Sequence, residues 1–136
     1  MNAMPTHARA RALRTQLWYE DRPAFLRQAL HEFTAVERKA AREGFHVAFR
    51  PNVLSDLPVL ARAIATALPH VKTYDYTKIP PAKWSWSLKN YTRTYSVSER
   101  STAADIREAF KQRANCAIMV DVRKGDPIPA TFTTRG

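Results

Sequence analysis

Residues 71–78 have the sequence VKTYDYTK, and the fold can be predicted by working outward from them. The β-branched and aromatic residues of Val71–Tyr76 predict a β-strand. A carboxylate, a hydroxyl and an ammonium group stand where this strand would end, at Asp75, Thr77 and Lys78. A central strand rarely buries an aspartate without a partner. The string therefore indicates either a polar functional site at a strand end or a local ion pair.

Helices and strands alternate on both sides of this stretch, as apolar spacing and capping signals indicate. The pattern predicts, in chain order, a helix between Asp21 and Gly44, a strand over 45–50, a helix from Asp56 to Pro69, the strand over 71–76, a loop over 77–90, a strand over 91–97, a helix capped by Ser101 or Thr102, and a strand over 116–122. Such alternation favours an α/β fold with a mainly parallel sheet of about four strands and about three main helices, joined by right-handed crossovers.

Three local expectations accompany this fold. Phe45, Val47 and Phe49 would share one face of the first strand. Asp56 would cap the second helix. The nearly all-apolar run from Cys116 to Val122 is typical of a strand that is covered on both faces.

The chain is expected to form one domain with two loosely held ends. Residues 1–15 contain arginines and no acidic residue, which is typical of a basic N-terminal arm. Residues 16–123 would form the single α/β domain. Residues 124–136 contain prolines and small polar residues and would form a C-terminal tail.

Charge is the strongest compositional signal, with 22 Lys and Arg against 12 Asp and Glu, a net charge of +10. A field of this sign attracts polyanions such as nucleic acid, although basic residues also serve solubility alone. No apolar run approaches the roughly 18 residues that span a bilayer. The N-terminus lacks the apolar core of a signal peptide. We therefore expect a cytoplasmic protein without membrane contact.

Polar side chains follow three of the predicted strands, and parallel strands would bring them to one edge of the sheet. They are Arg50, Asn52, Ser55 and Asp56, then Asp75, Thr77 and Lys78, then Ser96, Ser98 and Glu99. Some would only cap helices or form ion pairs. If the cleft is catalytic, the candidate residues are Asp75, Lys78, Asn52 and Glu99.

The loop over 77–90 combines aromatic and basic residues. Exposed aromatic rings can stack on bases while cations follow phosphates, although a tryptophan pair more often packs against a sheet. The candidates for binding nucleic acid or a partner are Arg50, Lys78, Lys83, Trp84, Trp86, Lys89 and Arg93.

Motifs for metal, phosphate or nucleophile chemistry are absent from the sequence. The four histidines show no metal-ligand spacing, and three glycines leave little for a phosphate loop. Cys116, the single cysteine, lies in an apolar run, which favours a buried, unreactive thiol and excludes an internal disulfide. We expect neither a metal nor a cofactor.

Four blocks of the sequence resemble, in order, an uncharacterised gene-product family of phages and plasmids. They are LWYEDRPAFLRQALHEF, HVAFRPNVLSDLP, VKTYDYTKIP and NYTRTYSVSE. The resemblance implies a partial barrel related to radical-SAM-like α/β barrels. It also implies a shortened member, because family members begin with a cysteine-bearing segment that this sequence lacks.

The resemblance and the charge together favour a mobile-element accessory protein in the bacterial cytoplasm. Its expected action is non-catalytic binding of nucleic acid or a host nucleoprotein complex, for example as an anti-CRISPR-type inhibitor of host defence. The alternatives are a small enzyme with its cleft around Asp75 and Lys78, and an inhibitor that covers a host protein surface. A partial sheet leaves edges that a second copy could cover, so a homodimer is a further expectation.

Overall fold

The structure, a computed structural model, describes residues 6–53 and 55–131. The first five residues of the predicted arm and the last five of the predicted tail lie outside the described residues. The chain divides into two compact units, Met1–Val47 and Ala48–Gly136. No helix in the described part of the chain is long and apolar enough to cross a membrane.

The first unit contains two helices, α1 (Thr6–Glu20) and α2 (Arg22–Arg42). Asp21 caps α2 as predicted, because its Oδ1 accepts a hydrogen bond of 2.9 Å from the Ala24 amide. Gly44 ends the helix with φ of +76°, a conformation that suits glycine. Trp18 packs edge-on against Phe25, with 5.3 Å between ring centroids, and Arg22 lies over the Trp18 ring.

The second unit contains four parallel strands and two helices. In chain order it has β1 (Ala48–Phe49), α3 (Pro58–Ala67), β2 (Lys72–Thr77), a 3₁₀ turn (Pro81–Lys83), β3 (Tyr91–Val97), α4 (Ala103–Lys111) and β4 (Asn115–Ile118). The strands lie side by side in the order β1-β2-β3-β4, and all three pairings are parallel. The predicted α/β class and parallel sheet are confirmed, with α1 as a fourth helix; the sheet does not close into a barrel.

The two faces of the sheet are covered very differently. Register places Phe49, Thr73, Tyr91 and their alternate neighbours on one face, which we call the covered face. Helix α3 packs against β2, and its buried side chains include Leu60 and Ile64. Towards β4, Tyr95 packs with Ala109 of α4. The hydrophobic core of this unit therefore lies on one side of the sheet.

The other side of the sheet, the open face, is not covered by either helix of the second unit. Its residues follow from the register and are Ala48, Lys72, Tyr74, Tyr76, Thr92, Thr94, Ser96, Asn115 and Ala117. All are exposed or half-buried. A parallel sheet is normally covered on both faces, so this one leaves an unusual flat surface.

Two strand predictions were wrong in extent. The first strand covers only Ala48–Phe49, and Phe45 is exposed because the turn after α2 continues to that position. The last strand ends at Ile118, and Met119 is 96% exposed. The run from Cys116 to Val122 is therefore not a strand covered on both faces. Its pairing stops at Ile118, where the partner strand β3 ends at Val97, and residues 119–122 are exposed.

Candidate functional site

Strand β2 presents opposite chemistry to the two faces of the sheet. Its side chains alternate strictly, so that Thr73, Asp75 and Thr77 are buried while Lys72, Tyr74 and Tyr76 are exposed. Aromatic residues normally point into a core and aspartate to solvent. This strand shows the reverse, which requires partners for the buried polar groups and leaves two tyrosines in water.

Asp75, 2% exposed, is held by three hydrogen bonds. Its Oδ1 accepts from the Asn52 backbone amide at 2.9 Å. Its Oδ2 accepts from Asn52 Nδ2 at 3.1 Å and from the Tyr91 hydroxyl at 3.2 Å. Buried polar groups are stable when their hydrogen bonds are made, so Asp75 is a satisfied link between the loop after β1, strand β2 and strand β3.

Asn52 is fixed by bonds on both ends of its amide. Its Oδ1 accepts from the Ser55 hydroxyl at 2.9 Å and the Leu57 amide at 3.2 Å, and its Nδ2 also donates to the Leu57 carbonyl. These partners determine which end of the amide faces Asp75. Asn52 and Asp75, two of the four catalytic candidates, are therefore brought together.

Burial dominates the electrostatics of this network. It raises the pKa of Asp75, although the bonds from Asn52 and Tyr91 and the charge of Arg50 act in the opposite direction. Burial and the Asp75 charge together raise the pKa of Tyr91, so its hydroxyl stays protonated and donates. Burial also lowers the pKa of Arg93, opposed by Tyr91 and Asp75.

Asp56 does not cap α3, and that prediction was wrong. The residue before the helix is Leu57, which makes no side-chain capping bond. Asp56 Oδ2 instead accepts from the Thr77 hydroxyl at 2.8 Å and from the Lys78 amide at 3.0 Å. The carboxylate therefore ties the loop after β1 to the end of β2.

Most of the polar residues at the strand ends line one cleft, which we call the strand-end cleft, but Asp75 and Ser98 do not. Its volume is about 510 Å³, and it is lined by Arg50, Asn52, Val53, Ser55, Asp56, Tyr76, Thr77, Lys78 and Ser96. All three sequence clusters contribute to it. Glu99, an exposed residue in the turn after β3, does not line it and is not brought to Asp75 by the contacts of the described residues.

The loop after β2 lies over the covered face, where its tryptophans pack. Trp84 donates to the Ile79 carbonyl at 3.0 Å and packs edge-on against Tyr95. Arg93 lies 5.1 Å from the Trp84 ring and 4.3 Å from the Trp86 ring, as well as near Tyr91. These aromatic rings therefore hold an arginine of the same chain. Lys83 and Lys89 of this loop are exposed.

The open face carries an aromatic and basic row that the sequence candidates did not include. Tyr74 is 39% and Tyr76 40% exposed, with Lys72 before them on the same side of β2. Next to the tyrosines, β3 contributes only Thr92 and Thr94 to this face, and such short side chains leave the rings accessible. The strict alternation of KTYDYTK is the sequence signal for this row, because it places Lys72, Tyr74 and Tyr76 on the side opposite Asp75.

Arg50 belongs to the same surface. Its guanidinium carbon lies 4.6 Å from the centroid of the Tyr76 ring, within cation–π distance. Its Nε is buried and has no hydrogen-bond partner among the described residues. Arg50 therefore joins the tyrosine row to the strand-end cleft.

Metal-ligand and thiol chemistry receive no geometric support. Within residues 6–53 and 55–131, no three His, Cys, Asp or Glu side chains are placed to hold a metal ion. Cys116 is half-buried, and burial raises the pKa of its thiol. A thiol in this state is a weak nucleophile at neutral pH.

A family model described as Gene product 88 matches residues 1–135 of the chain. No curated protein matches the chain, and no solved structure does. The match covers nearly the whole chain and agrees with the predicted phage-type gene-product family. The relation to radical-SAM-like barrels and the shortening of the chain stay predictions.

Proposed function

We propose that this chain, which belongs to the Gene product 88 family of phage-type proteins, binds single-stranded nucleic acid on the open face of its sheet. The observation that carries the proposal is the row on β2, where Lys72, Tyr74 and Tyr76 point to solvent from a strand whose other face is buried.

The spacing of the tyrosines on the open face fits single-stranded nucleic acid. Alternate residues on a strand are about 6.6 Å apart, so the two tyrosines stand side by side on one flat surface. Arg50 covers one face of the Tyr76 ring, so Tyr74 is the more open platform. Bases of single strands stack on aromatic side chains, and sheets with exposed aromatics are an established way of binding them. Duplex bases are already stacked on each other, so this surface favours unpaired strands.

The charge supports the same ligand. Lys72 and Arg50 flank the tyrosines on this face, and the whole chain carries +10. Cations beside aromatic platforms neutralise phosphates and make binding dependent on salt. A specific protein interface buries about 800 Å² on each partner, and two half-exposed tyrosines supply only a small part of that area.

Matched variants test which face binds. Fluorescence anisotropy with a labelled single-stranded oligonucleotide would compare Tyr74→Ala with Tyr19→Ala, an exposed tyrosine of α1. Loss of a stacking ring costs about 1–3 kcal/mol, or roughly 5- to 150-fold in Kd, and we expect this loss for Tyr74→Ala alone.

A second pair separates the open face from the loop. Lys72→Glu should weaken binding and flatten its salt dependence, while Lys89→Glu, an exposed lysine of the loop after β2, should change both less. The opposite ranking would place the interface on the loop candidates Lys83, Trp86 and Lys89. Binding that ignores salt, or no binding to any oligonucleotide, would refute the proposal.

The anti-CRISPR-type interference predicted from the resemblance stays a prediction. A pull-down from host lysate with and without nuclease tests it, since a partner retained after nuclease treatment would be a protein. The enzyme alternative has less support than binding, because Asp75 is 2% exposed and both of its carboxylate oxygens accept hydrogen bonds from Asn52 or Tyr91.

A further inference from the structure

We infer that the strand-end cleft is a subsite for a terminal phosphate, so that the protein recognises the phosphorylated end of a nucleic-acid strand. The inference rests on the proposed function and names the part of the strand that the cleft would hold. The ligand class is a phosphomonoester, at either the 5′ or the 3′ end.

Arg50 brings to the cleft a hydrogen-bond donor that no described residue satisfies. It lines the cleft, and stacking on Tyr76 fixes its position. Its Nε–H has no acceptor among the described residues, and a buried donor without an acceptor is destabilising. A small rotation of the side chain would present this N–H to a ligand oxygen. Guanidinium groups bind phosphate through two parallel hydrogen bonds.

The other lining groups fit the same ligand. Lys78 is exposed and brings a second positive charge. Ser96 also lines the cleft, and its hydroxyl can donate to a phosphate oxygen, whereas the Ser55 hydroxyl already donates to Asn52 Oδ1. The carboxylate of Asp56 also lines it, but its Oδ2 accepts from Thr77 and Lys78, and the two cations outnumber it.

The strand-end cleft adjoins the tyrosine row. Tyr76 belongs both to the tyrosine row and to the cleft wall, and Arg50 covers one face of its ring. A base stacked on Tyr74 would therefore direct the next phosphate towards Tyr76 and Arg50. The loop containing Asn52 and Ser55 borders the cleft beyond the ends of β1 and β2. A nucleic-acid strand bound along β2 would end at this loop, so the cleft favours a terminal phosphate over an internal one.

The experiment measures Kd by anisotropy for one oligothymidylate in three forms, with a 5′ phosphate, a 3′ phosphate or no terminal phosphate. An unphosphorylated oligonucleotide one nucleotide longer controls for the added charge. We expect one phosphorylated form to bind about tenfold more tightly than this control, the scale of charge-assisted hydrogen bonds.

The variants assign the effect to the cleft. Arg50→Gln should remove the gain from the terminal phosphate, while the matched variant Arg107→Gln, at an exposed position of α4, should keep it. Arg50→Lys keeps the charge without the planar fork and should recover only part of the gain. Ser96→Ala, a smaller change, should reduce the gain about threefold, the scale of one neutral hydrogen bond.

The outcomes separate this inference from the proposed function. Equal binding of all oligonucleotides, or a gain that survives in folded Arg50→Gln protein, overturns the subsite and leaves the open-face proposal standing. If no oligonucleotide binds, NMR titration with inorganic phosphate decides. Amide shifts at Lys78 and Ser96 that Arg50→Gln abolishes would support the subsite, and their absence would overturn it.

Discussion

Replacing Asp75 by asparagine isolates the link between the loop after β1 and the two central strands. The side chains have nearly the same shape, so the substitution changes hydrogen-bond chemistry and leaves packing almost unchanged. In Asp75→Asn the oxygen at Oδ1 can still accept from the Asn52 amide, which lies at 2.9 Å. The new NH₂ group would face Asn52 Nδ2 at 3.1 Å, donor against donor.

Asn52 cannot relieve this conflict by turning its amide around. Its Oδ1 already accepts from Ser55 and from the Leu57 amide, and both bonds would be lost. The Tyr91 hydroxyl can rotate to accept, since a phenol both donates and accepts. One buried donor is thus left without a partner, and the expected loss in the free energy of unfolding is about 1–3 kcal/mol.

Urea denaturation followed by circular dichroism measures this loss. Asp121→Asn, which removes a carboxylate from an exposed position, serves as the matched control and should change stability by less than about 0.5 kcal/mol. An Asp75→Asn protein as stable as the wild type would refute the hydrogen-bond account of this site.

The same variant gives a pH dependence of defined sign. Because burial raises the pKa of Asp75, the folded chain binds this proton more tightly than the unfolded chain, whose aspartate pKa is about 3.9. The stability from this proton is fully present below the unfolded value and is lost as pH rises through the folded one. The difference between wild type and Asp75→Asn should therefore shrink from acid to neutral pH. A difference that grows would mean that the hydrogen bonds outweigh burial.

Two further predictions concern the covered face and the thiol. Asn90 Nδ2 lies within 3.1 Å of three carbonyl oxygens at the end of α3 and before β2, those of Ala65, Leu68 and Val71. The substitution Asn90→Ala should therefore lower the free energy of unfolding by about 1–3 kcal/mol in the same urea titration. The control Asn115→Ala, at an exposed position of β4, should lower it little. Because burial raises the pKa of Cys116, the rate of its reaction with a disulfide reagent should have a pH midpoint above the usual value of about 8.5. Equal reaction rates for the folded and the urea-unfolded protein at neutral pH would contradict this.

The fold class could be predicted from sequence because local signals agreed with each other. Asp21 and Gly44 set the bounds of α2, and Thr102 begins α4 with a reciprocal capping box to Asp105. The strands were harder to place at the edges of the sheet. Apolar residues such as Phe45 and Met119 suggested longer strands, but at an edge the neighbouring strand sets where pairing ends.

The candidate site was only partly predictable, because side-chain partners come from distant parts of the chain. The convergence of polar strand ends followed from the parallel arrangement. That Asn52, 23 residues away, would satisfy Asp75 could not be inferred from local pattern. The sequence therefore made Asp75 a functional candidate and did not assign a face to the tyrosines, whereas the structure buries the aspartate and exposes Tyr74 and Tyr76.

The order β1-β2-β3-β4 also has a consequence for how this protein folds. Every strand pairs with the strand before it in the chain, so each pairing closes a loop of moderate length and little entropy is lost at each step. During synthesis, β1, α3 and β2 can associate before β3 has left the ribosome, and each later strand adds to an existing edge. The sheet can therefore assemble from its N-terminal side without waiting for the end of the chain.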